Sequence, residues 1–273
     1  MADLKLNRQF EPHYGEMIEV TPLVRRVVAP NESPFTFKGT GTYVIGRGNV
    51  AVIDPGPLDM GHVQAILDGL AGETVTHILI THTHSDHSPA AAPLKEATDA
   101  PTYGYGPHGL GRGSGQPALE GAKMDEGGDM AFVPDHVIRD GDVIEGDGWT
   151  VECVFTPGHT SNHMCFGLRE EKSLFTGDHV MGWSTAVIAP PDGDMADYMA
   201  SLRKLLERDD EVYSPTHGSP VTKPHSLVRG YITHRKAREA QILARLADGD
   251  RKITDMVPVM YAATDKRLYP AAA

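Results

Sequence analysis

Cysteine is nearly absent: Cys153 and Cys165 are the only two in 273 residues. Each stands inside an apolar, strand-like run (VECVF and HMCFGL), so a disulfide framework is excluded and both read as core residues rather than ligands or nucleophiles. Long apolar runs are missing too. No stretch approaches the roughly 20 residues of a membrane span, and the opening segment MADLKLNRQFEPHYGEM has no apolar core behind a basic start. A soluble globular protein with no membrane partner is expected, cytoplasmic by default. Positive charge is also scarce, with 25 Lys and Arg against 37 Asp and Glu for a net charge of −12. That disfavours long-range attraction to nucleic acid, although a local basic face or a metal site can override it. The length allows one large domain, alone or with a small appendage.

What the chain has in excess is histidine, 14 residues, about twice ordinary usage. Histidine enrichment without cysteine points to metal held by nitrogen and oxygen ligands. The excess concentrates in THTHSDHS, residues 81–88, where His82, His84, Asp86 and His87 fall within six positions.

The first half reads as short strands at residues 24–29 (VRRVVA), 42–45 (TYVI) and 50–53 (VAVI), the last two joined by the hairpin signal GRGN, followed by the turn IDPGP. A helix is expected over 60–70, then a buried strand over 77–81 that delivers the chain to the histidine cluster, then a helix over 88–97. Residues 103–134 are rich in glycine and poor in large apolar side chains, and a loop this long inside a domain is a lid or an insertion. Strands resume at 143–144, 150–155, 164–168 and 173–176. A helix over 195–207 with apolar spacing at Met195, Met199, Leu202 and Leu206 follows, and then a strand at 211–213. Beyond Pro224 the chain reads helical to about Asp248, with Thr254 expected to cap one further helix. Two strand blocks, each followed by helices and with polar residues at the strand ends, point to a layered α/β sandwich. The division expected is a catalytic domain at 1–222 and a helical C-terminal appendage at 223–273.

Spacing gives the cluster its chemistry. On an extended segment leaving a strand, His82 and His84 point the same way and can chelate one ion, while Asp86 and His87, where the chain turns, can reach a second point. The same pattern recurs at three other strand ends: His159 in TPGHTSNH, Asp178 in TGDH and His217 in SPTHGSP.

Taken together, THTHSDH, TPGHT, GD and THG resemble the metallo-β-lactamase fold superfamily over residues 41–220, about two thirds of the chain. The resemblance implies a four-layer αββα sandwich of two mixed sheets, with metals at their shared edge. Residue by residue it implies that His82, His84 and His159 hold a first ion, that Asp86, His87 and His217 hold a second, and that Asp178 bridges them. Asp54 in IDPGP would brace the metal loop without binding metal. The implied cofactors are two divalent ions, zinc foremost, with iron or manganese as alternatives.

Residue choices narrow the family. His84 stands where the di-iron flavoprotein oxygen reductases of this fold carry glutamate, and the cysteine ligand of the main clinical zinc β-lactamases is missing. The chain is also too short for the inserted cap of the larger nucleases. TPGHTSNHM, GDHVMGWSTAV, DYMASLRKLL and ITHRKAREAQIL more closely resemble the β-lactamase-like protein 2 group, single-strand-RNA endoribonucleases and their bacterial relatives. In that group a winged helix follows the catalytic domain. The tail at 223–273 is read as an incomplete version of it, and Thr216-His217-Gly218 departs from the usual Gly-His-Gly.

Two adjacent divalent ions bring the pKa of a shared water toward neutrality, so a metal-bridging hydroxide is the expected nucleophile. Two dications, two carboxylates and one hydroxide leave a site charge of about +1, which suits an ester, thioester, lactone or phosphodiester. Asp86 and Asp178 are the catalytic candidates for orienting that nucleophile and relaying its proton. His163 is read as a hydrogen-bond partner of a ligand and His179 as a core residue. Ser184 and Thr185 either line the pocket or cap a loop, and a lid would carry Tyr105 and His108 toward substrate. Arg235, Lys236 and Arg238 read as a solvated helix face rather than an RNA contact. The expected enzyme is a dinuclear metallo-hydrolase. Its acidic charge favours a small ester-type substrate, whereas its motifs favour single-stranded RNA. A mononuclear iron persulfide dioxygenase shares the first-site histidines, but all seven ligand positions are filled here. The oligomeric state is left open, a dimer included.

Overall fold

The computed structural model describes residues 4–111 and 127–262, together with Tyr269. Seven strands form one sheet in sequence order: β1 (Ile18–Glu19), β2 (Val24–Val28), β3 (Gly41–Ile45), β4 (Asn49–Ile53), β5 (Thr74–Leu79), β6 (Thr102–Gly104) and β7 (His136–Val137). Pairing is antiparallel from β1 through β4 and parallel from β4 through β7. The second sheet holds β8 (Val143–Glu145), β9 (Thr150–Phe155), β10 (Met164–Leu168), β11 (Ser173–Gly177) and β12 (Val212–Pro215), in the order β12-β11-β10-β9-β8, with only β11 and β12 parallel.

The two-residue periodicity of the strands builds the layers. Tyr43, Ile45, Ala51, Ile53 and Leu79 face inward and meet Val151, Cys153, Met164, Phe166 and Phe175 of the other sheet. Their neighbours Val44, Val50, Val52 and Ile78 face outward and are covered by Ile66 of α1 (Met60–Gly69) and Leu94 of α2 (Ala91–Thr98). On the other outer face Val154, Cys165 and Leu174 pack under Tyr198, Leu202 and Leu205 of α3 (Met195–Leu205) and under Val228 and Tyr231 of α4 (Pro224–Ala247). Strand order and layering together give the four-layer αββα sandwich. Both cysteines are buried within it, and burial pushes each thiol up to about 12. Among the described residues no helix is long and apolar enough to cross a membrane.

Several boundaries differ from the sequence reading. The helix expected from residue 88 starts at Ala91, because Pro89 disfavours helical backbone at Ser88, whose hydroxyl bonds Asp129 instead. The buried stripe of α3 runs through Tyr198, Leu202 and Leu205, and Met195 at its first position is 41% exposed. Thr254 lies inside α5 (Ile253–Met260), preceded by Lys252 at the cap position with no side-chain cap bond. The glycine-rich stretch begins within β6 and approaches the metal loop again at 127–129, where the Ser85 and Asp129 amides donate to the Gly127 and Thr83 carbonyls. Its middle, 112–126, falls outside the described residues, and so does most of the chain beyond Tyr261.

Two backbone bonds tie the sheets together at one edge. The Met164 amide donates to the Thr81 carbonyl at 2.7 Å, and the Gly41 amide donates to the Thr216 carbonyl at 2.8 Å. Thr81 and Thr216 each immediately precede one of the clustered histidines, so this stapled edge carries the site.

Candidate metal centre

Each clustered side chain follows the end of a strand. His82, His84, Asp86 and His87 come after β5, His159 after β9, Asp178 after β11 and His217 after β12. All seven are buried. The turn that presents His159 depends on Gly158, whose φ is +137° and where a Cβ would lie 2.3 Å from the Cα of Tyr198. Gly177, with φ +48°, likewise leaves no room for a Cβ beside His163 Nε2 at 2.6 Å and Thr81 Oγ1 at 2.9 Å.

The partners of the imidazoles fix their tautomers. His159 Nδ1–H donates to the Val187 carbonyl at 2.6 Å, His217 Nδ1–H to the Gly39 carbonyl at 3.1 Å and His87 Nδ1–H to Asp54 Oδ2 at 2.9 Å. Thr81 Oγ1 donates to Asp54 Oδ2 at 2.7 Å and so accepts from His82 Nδ1–H at 3.1 Å. All four rings therefore turn Nε2 toward the interior. His84 offers Nδ1, which lies 3.1 Å from both His82 Nε2 and His159 Nε2.

Three nitrogens meet here with at most one proton to share, which is the donor set of a cation site. A second set, Asp86, His87 and His217, lies beside it, and in each set the candidate ligand atoms are within 4.8 Å of one another. His87 Nε2 and His217 Nε2 both lie 3.2 Å from Asp86 Oδ2. Asp178 stands between the sets: Oδ1 is 3.4 Å from His217 Nε2 and 3.7 Å from His87 Nε2, while Oδ2 is 3.8 Å from His159 Nε2. Asp86 Oδ1, His87 Nε2 and Asp178 Oδ1 are buried with no hydrogen-bond partner among the described residues. Such orphaned atoms are costly unless something binds them. The residues present fit metal ions of the kind held by nitrogen and carboxylate oxygen.

The electrostatics divide the same way. Burial pushes the His82 pKa well below its ordinary value and that of His159 down to about 4, and the neighbouring histidines reinforce this, so these rings are neutral. Burial also opposes charge on His217 and His87, but nearby carboxylates outweigh it. Asp178 and Asp86 push His217 up to about 10, and Asp86, Asp178 and Asp54 hold His87 well above its usual range. Conversely, burial disfavours the Asp86 and Asp178 anions, yet the two imidazoles keep both carboxyls well below the usual carboxylate range. The second set is thus a pocket of negative potential.

The match to the family lies in the same span as this geometry: the sequence profile of the metallo-beta-lactamase superfamily fits residues 36–217. The chain belongs to the metallo-beta-lactamase superfamily. As a member of it, the chain is 31% identical to an atrochrysone carboxyl ACP thioesterase of Aspergillus fumigatus, over 95% of this chain and 76% of that protein. It is 30% identical to a beta-lactamase-like protein 2 homolog of Caenorhabditis elegans, over 89% of this chain and 77% of that one. A metallo-beta-lactamase family protein from Thermus thermophilus shares the fold with a TM-score of 0.74 at 21% identity, covering 93% of this chain and 91% of that chain. Superfamily membership makes the chain hydrolase-like, with a His and Asp cluster that suits metal.

Other side chains singled out in the sequence have definite positions in this superfamily fold. Asp54 accepts from the Thr81 amide at 2.8 Å as well as from Thr81 Oγ1, His87 and, at 3.2 Å, Thr216 Oγ1. His163 Nε2 accepts from the Asp178 amide at 3.3 Å, and its Nδ1 bonds Thr156 Oγ1. His179 turns away onto the Tyr198 ring, 4.8 Å between centroids. Ser184 Oγ donates to the Thr185 carbonyl, a loop contact. Tyr105 does not reach the cluster: it stacks on Phe155 at 4.3 Å with Arg139 over its ring. His108 comes nearer, its ring 6.3 Å from that of His84 and its Nδ1 3.0 Å from Thr83 Oγ1. The basic run is not a uniformly solvated face. Arg235 donates to the Ala186 carbonyl and Arg238 to the Met260 carbonyl, and Lys236 alone of the three is exposed. Sequence reasoning did not find Thr40, whose hydroxyl donates to Asp86 Oδ2 at 3.2 Å, because a lone threonine carries no pattern.

Proposed function

We propose that this chain is a dinuclear metal-dependent hydrolase of thioesters, acting on an acyl group carried by a thiol. The observation that carries the reading is the position of Asp178, with one carboxylate oxygen toward each histidine set. In this reading His82, His84 and His159 would hold one divalent ion, Asp86, His87 and His217 would hold the other, and Asp178 would be shared between the two sets. Zinc is the ion this donor set suits best. When bound, such a pair supplies Lewis acidity and a nucleophilic hydroxide at neutral pH.

The chain's own groups do the rest. Asp86 is held by Thr40 through Oδ2, leaving the orphaned Oδ1 to accept the proton of the attacking water. Asp178, with its amide fixed by His163, orients that water between the two sets. The burial of the whole cluster limits access by other water, which strengthens each of these charge interactions. A thiolate leaves without a proton near neutral pH, so thioester cleavage asks only for a nucleophile and for stabilisation of developing negative charge. The similarity to an acyl carrier protein thioesterase supports the same substrate class. Residues 223–273 are proposed as an appendage fastened by Val228 and Tyr231 rather than as a second catalytic unit.

The deciding experiment is a panel of acyl thioesters, simple esters, lactones and short single-stranded RNA, each assayed with metal-loaded protein and with chelator-treated protein. Metal-dependent turnover with thioesters foremost is the expected result. Cleavage confined to RNA would replace this substrate class with the endoribonuclease reading.

A further inference from the structure

A concavity lies beside the chain segment that follows His217. It is a groove of about 620 Å³ between the N-terminal segment, the turn at 220–223 and the first turns of α4. Its lining includes Lys5, Lys223 and Arg229, with Asn7, Thr222 and Ser226 as neutral donors, and contains no Asp or Glu. In a chain with 37 acidic residues that is a local reversal of sign. None of the three cationic side chains has an ion-pair partner among the described residues. The groove is built rather than incidental: the Asn7 amide donates to the Gly182 carbonyl at 2.8 Å, Ser219 Oγ donates to the Gln9 carbonyl at 2.6 Å, and Leu4 lies over Gly230, where a Cβ would meet its Cδ1 at 2.7 Å.

The groove is covalently close to the metal centre. Pro220 and Lys223 are three and six residues beyond His217, so chain geometry keeps them within roughly 11 and 22 Å of it. Gly182, on the groove wall, is four residues from Asp178. A pantetheine arm is about as long as five extended residues, roughly 17 Å, and ends in a phosphate. A thioester carbonyl at the cluster would place the carrier's phosphate roughly 17 Å away, inside the limit that chain geometry sets between His217 and Lys223.

We propose that the groove binds the phosphate of a phosphopantetheine arm, with Lys223 and Arg229 as its principal partners and Lys5 closing from the N-terminal side. Cations and hydroxyl donors with no competing carboxylate are the groups that recognise phosphate. The inference rests on the thioester reading above and names the carrier end of that substrate, whether coenzyme A or a carrier protein.

The test pairs acetyl-, hexanoyl- and benzoyl-coenzyme A with the corresponding S-acyl-N-acetylcysteamines, which have the thioester but no phosphate. The proteins compared are the metal-loaded wild type, Lys223→Glu/Arg229→Glu, and the milder Lys223→Ala/Arg229→Ala. KM for the coenzyme A thioesters should rise about tenfold in the charge-reversed variant, with kcat and the N-acetylcysteamine KM unchanged. Equal changes for both substrate series, or none for either, would overturn the inference. Calorimetric titration with free coenzyme A gives a readout that needs no turnover. If the wild type binds it and the variants do not, the groove is assigned even should no thioester be cleaved. If binding survives charge reversal, the proposal fails. Acyl carrier protein charged with the same acyl group separates the two carriers, since either one showing the KM effect supports the shared chemistry. Displacement of short single-stranded RNA, but not of coenzyme A, by the charge reversal would overturn the assignment in favour of a nucleic-acid site.

Discussion

Replacing Asp54 with asparagine tests the claim that the metal loop is set by a carboxylate that touches no metal. The buried Asp54 side chain accepts from four donors: the Thr81 amide at 2.8 Å, Thr81 Oγ1 at 2.7 Å, His87 Nδ1 at 2.9 Å and Thr216 Oγ1 at 3.2 Å. Asparagine keeps the shape and tolerates the left-handed backbone, φ 48°, found here. If its oxygen stays on the Thr81 amide, its NH2 group faces the other three donors. The two threonine hydroxyls can rotate to accept, but His87 must either leave Nδ1–H unpaired or move its proton to Nε2. An unpaired buried donor costs about 1–3 kcal/mol, and the lost charge adds to it, so denaturant unfolding of the metal-free protein should show a loss of about 2–4 kcal/mol. The tautomer shift removes the lone pair that His87 turns toward Asp86 and Asp178. Chelator competition should therefore show the second ion bound about 10–100-fold more weakly and the first scarcely changed. Unchanged affinity at the second site alongside the stability loss, or an equal fall at both sites, would refute the reasoning.

Gly158→Ala should cost about 2–5 kcal/mol in unfolding free energy, because a Cβ at φ +137° would lie 2.3 Å from the α3 backbone at Tyr198. Thermal melting checks it, and a loss below about 1 kcal/mol would mean that the turn before His159 is plastic. His62 gives a pH prediction away from the metal ligands. Burial lowers its pKa from 6.5 to about 4, so the unfolded chain takes up its proton first and stability falls as pH drops from 6.5 toward 4, by about 3 kcal/mol at the limit. Denaturation at pH 7.5 and pH 4.5 should show a shallower pH dependence in His62→Gln than in the wild type, and identical slopes would contradict it.

The residues of the cluster could be picked out in the sequence because they crowd after recognisable strands: His82 to His87 are local, and His159, Asp178 and His217 each follow an apolar run. The two strand blocks, each followed by helices, carried the layers in the same way. What escaped was nonlocal. The carbonyls of Gly39 and Val187 orient His217 and His159, but a carbonyl leaves no mark on residue identity. Arg235 and Arg238 looked solvated because their partners, the Ala186 and Met260 carbonyls, lie about 49 and 22 positions away in the chain. The edge strand β7 was missed because two residues are too few to show a period. Tyr105 belongs to an aromatic stack that only the approach of Phe155 creates.

The central claim is that Asp178 joins two metal sites in one centre, and elemental analysis of the purified wild type beside Asp178→Ala tests it most directly. The wild type should carry close to two divalent metals per chain, mostly zinc. Without the carboxylate between two dications their repulsion is less compensated, so the variant should fall toward one, recovering in part with excess zinc while the fold survives. A wild type with one tightly held iron and a second site that no metal fills, or a variant that keeps two metals, would contradict the account.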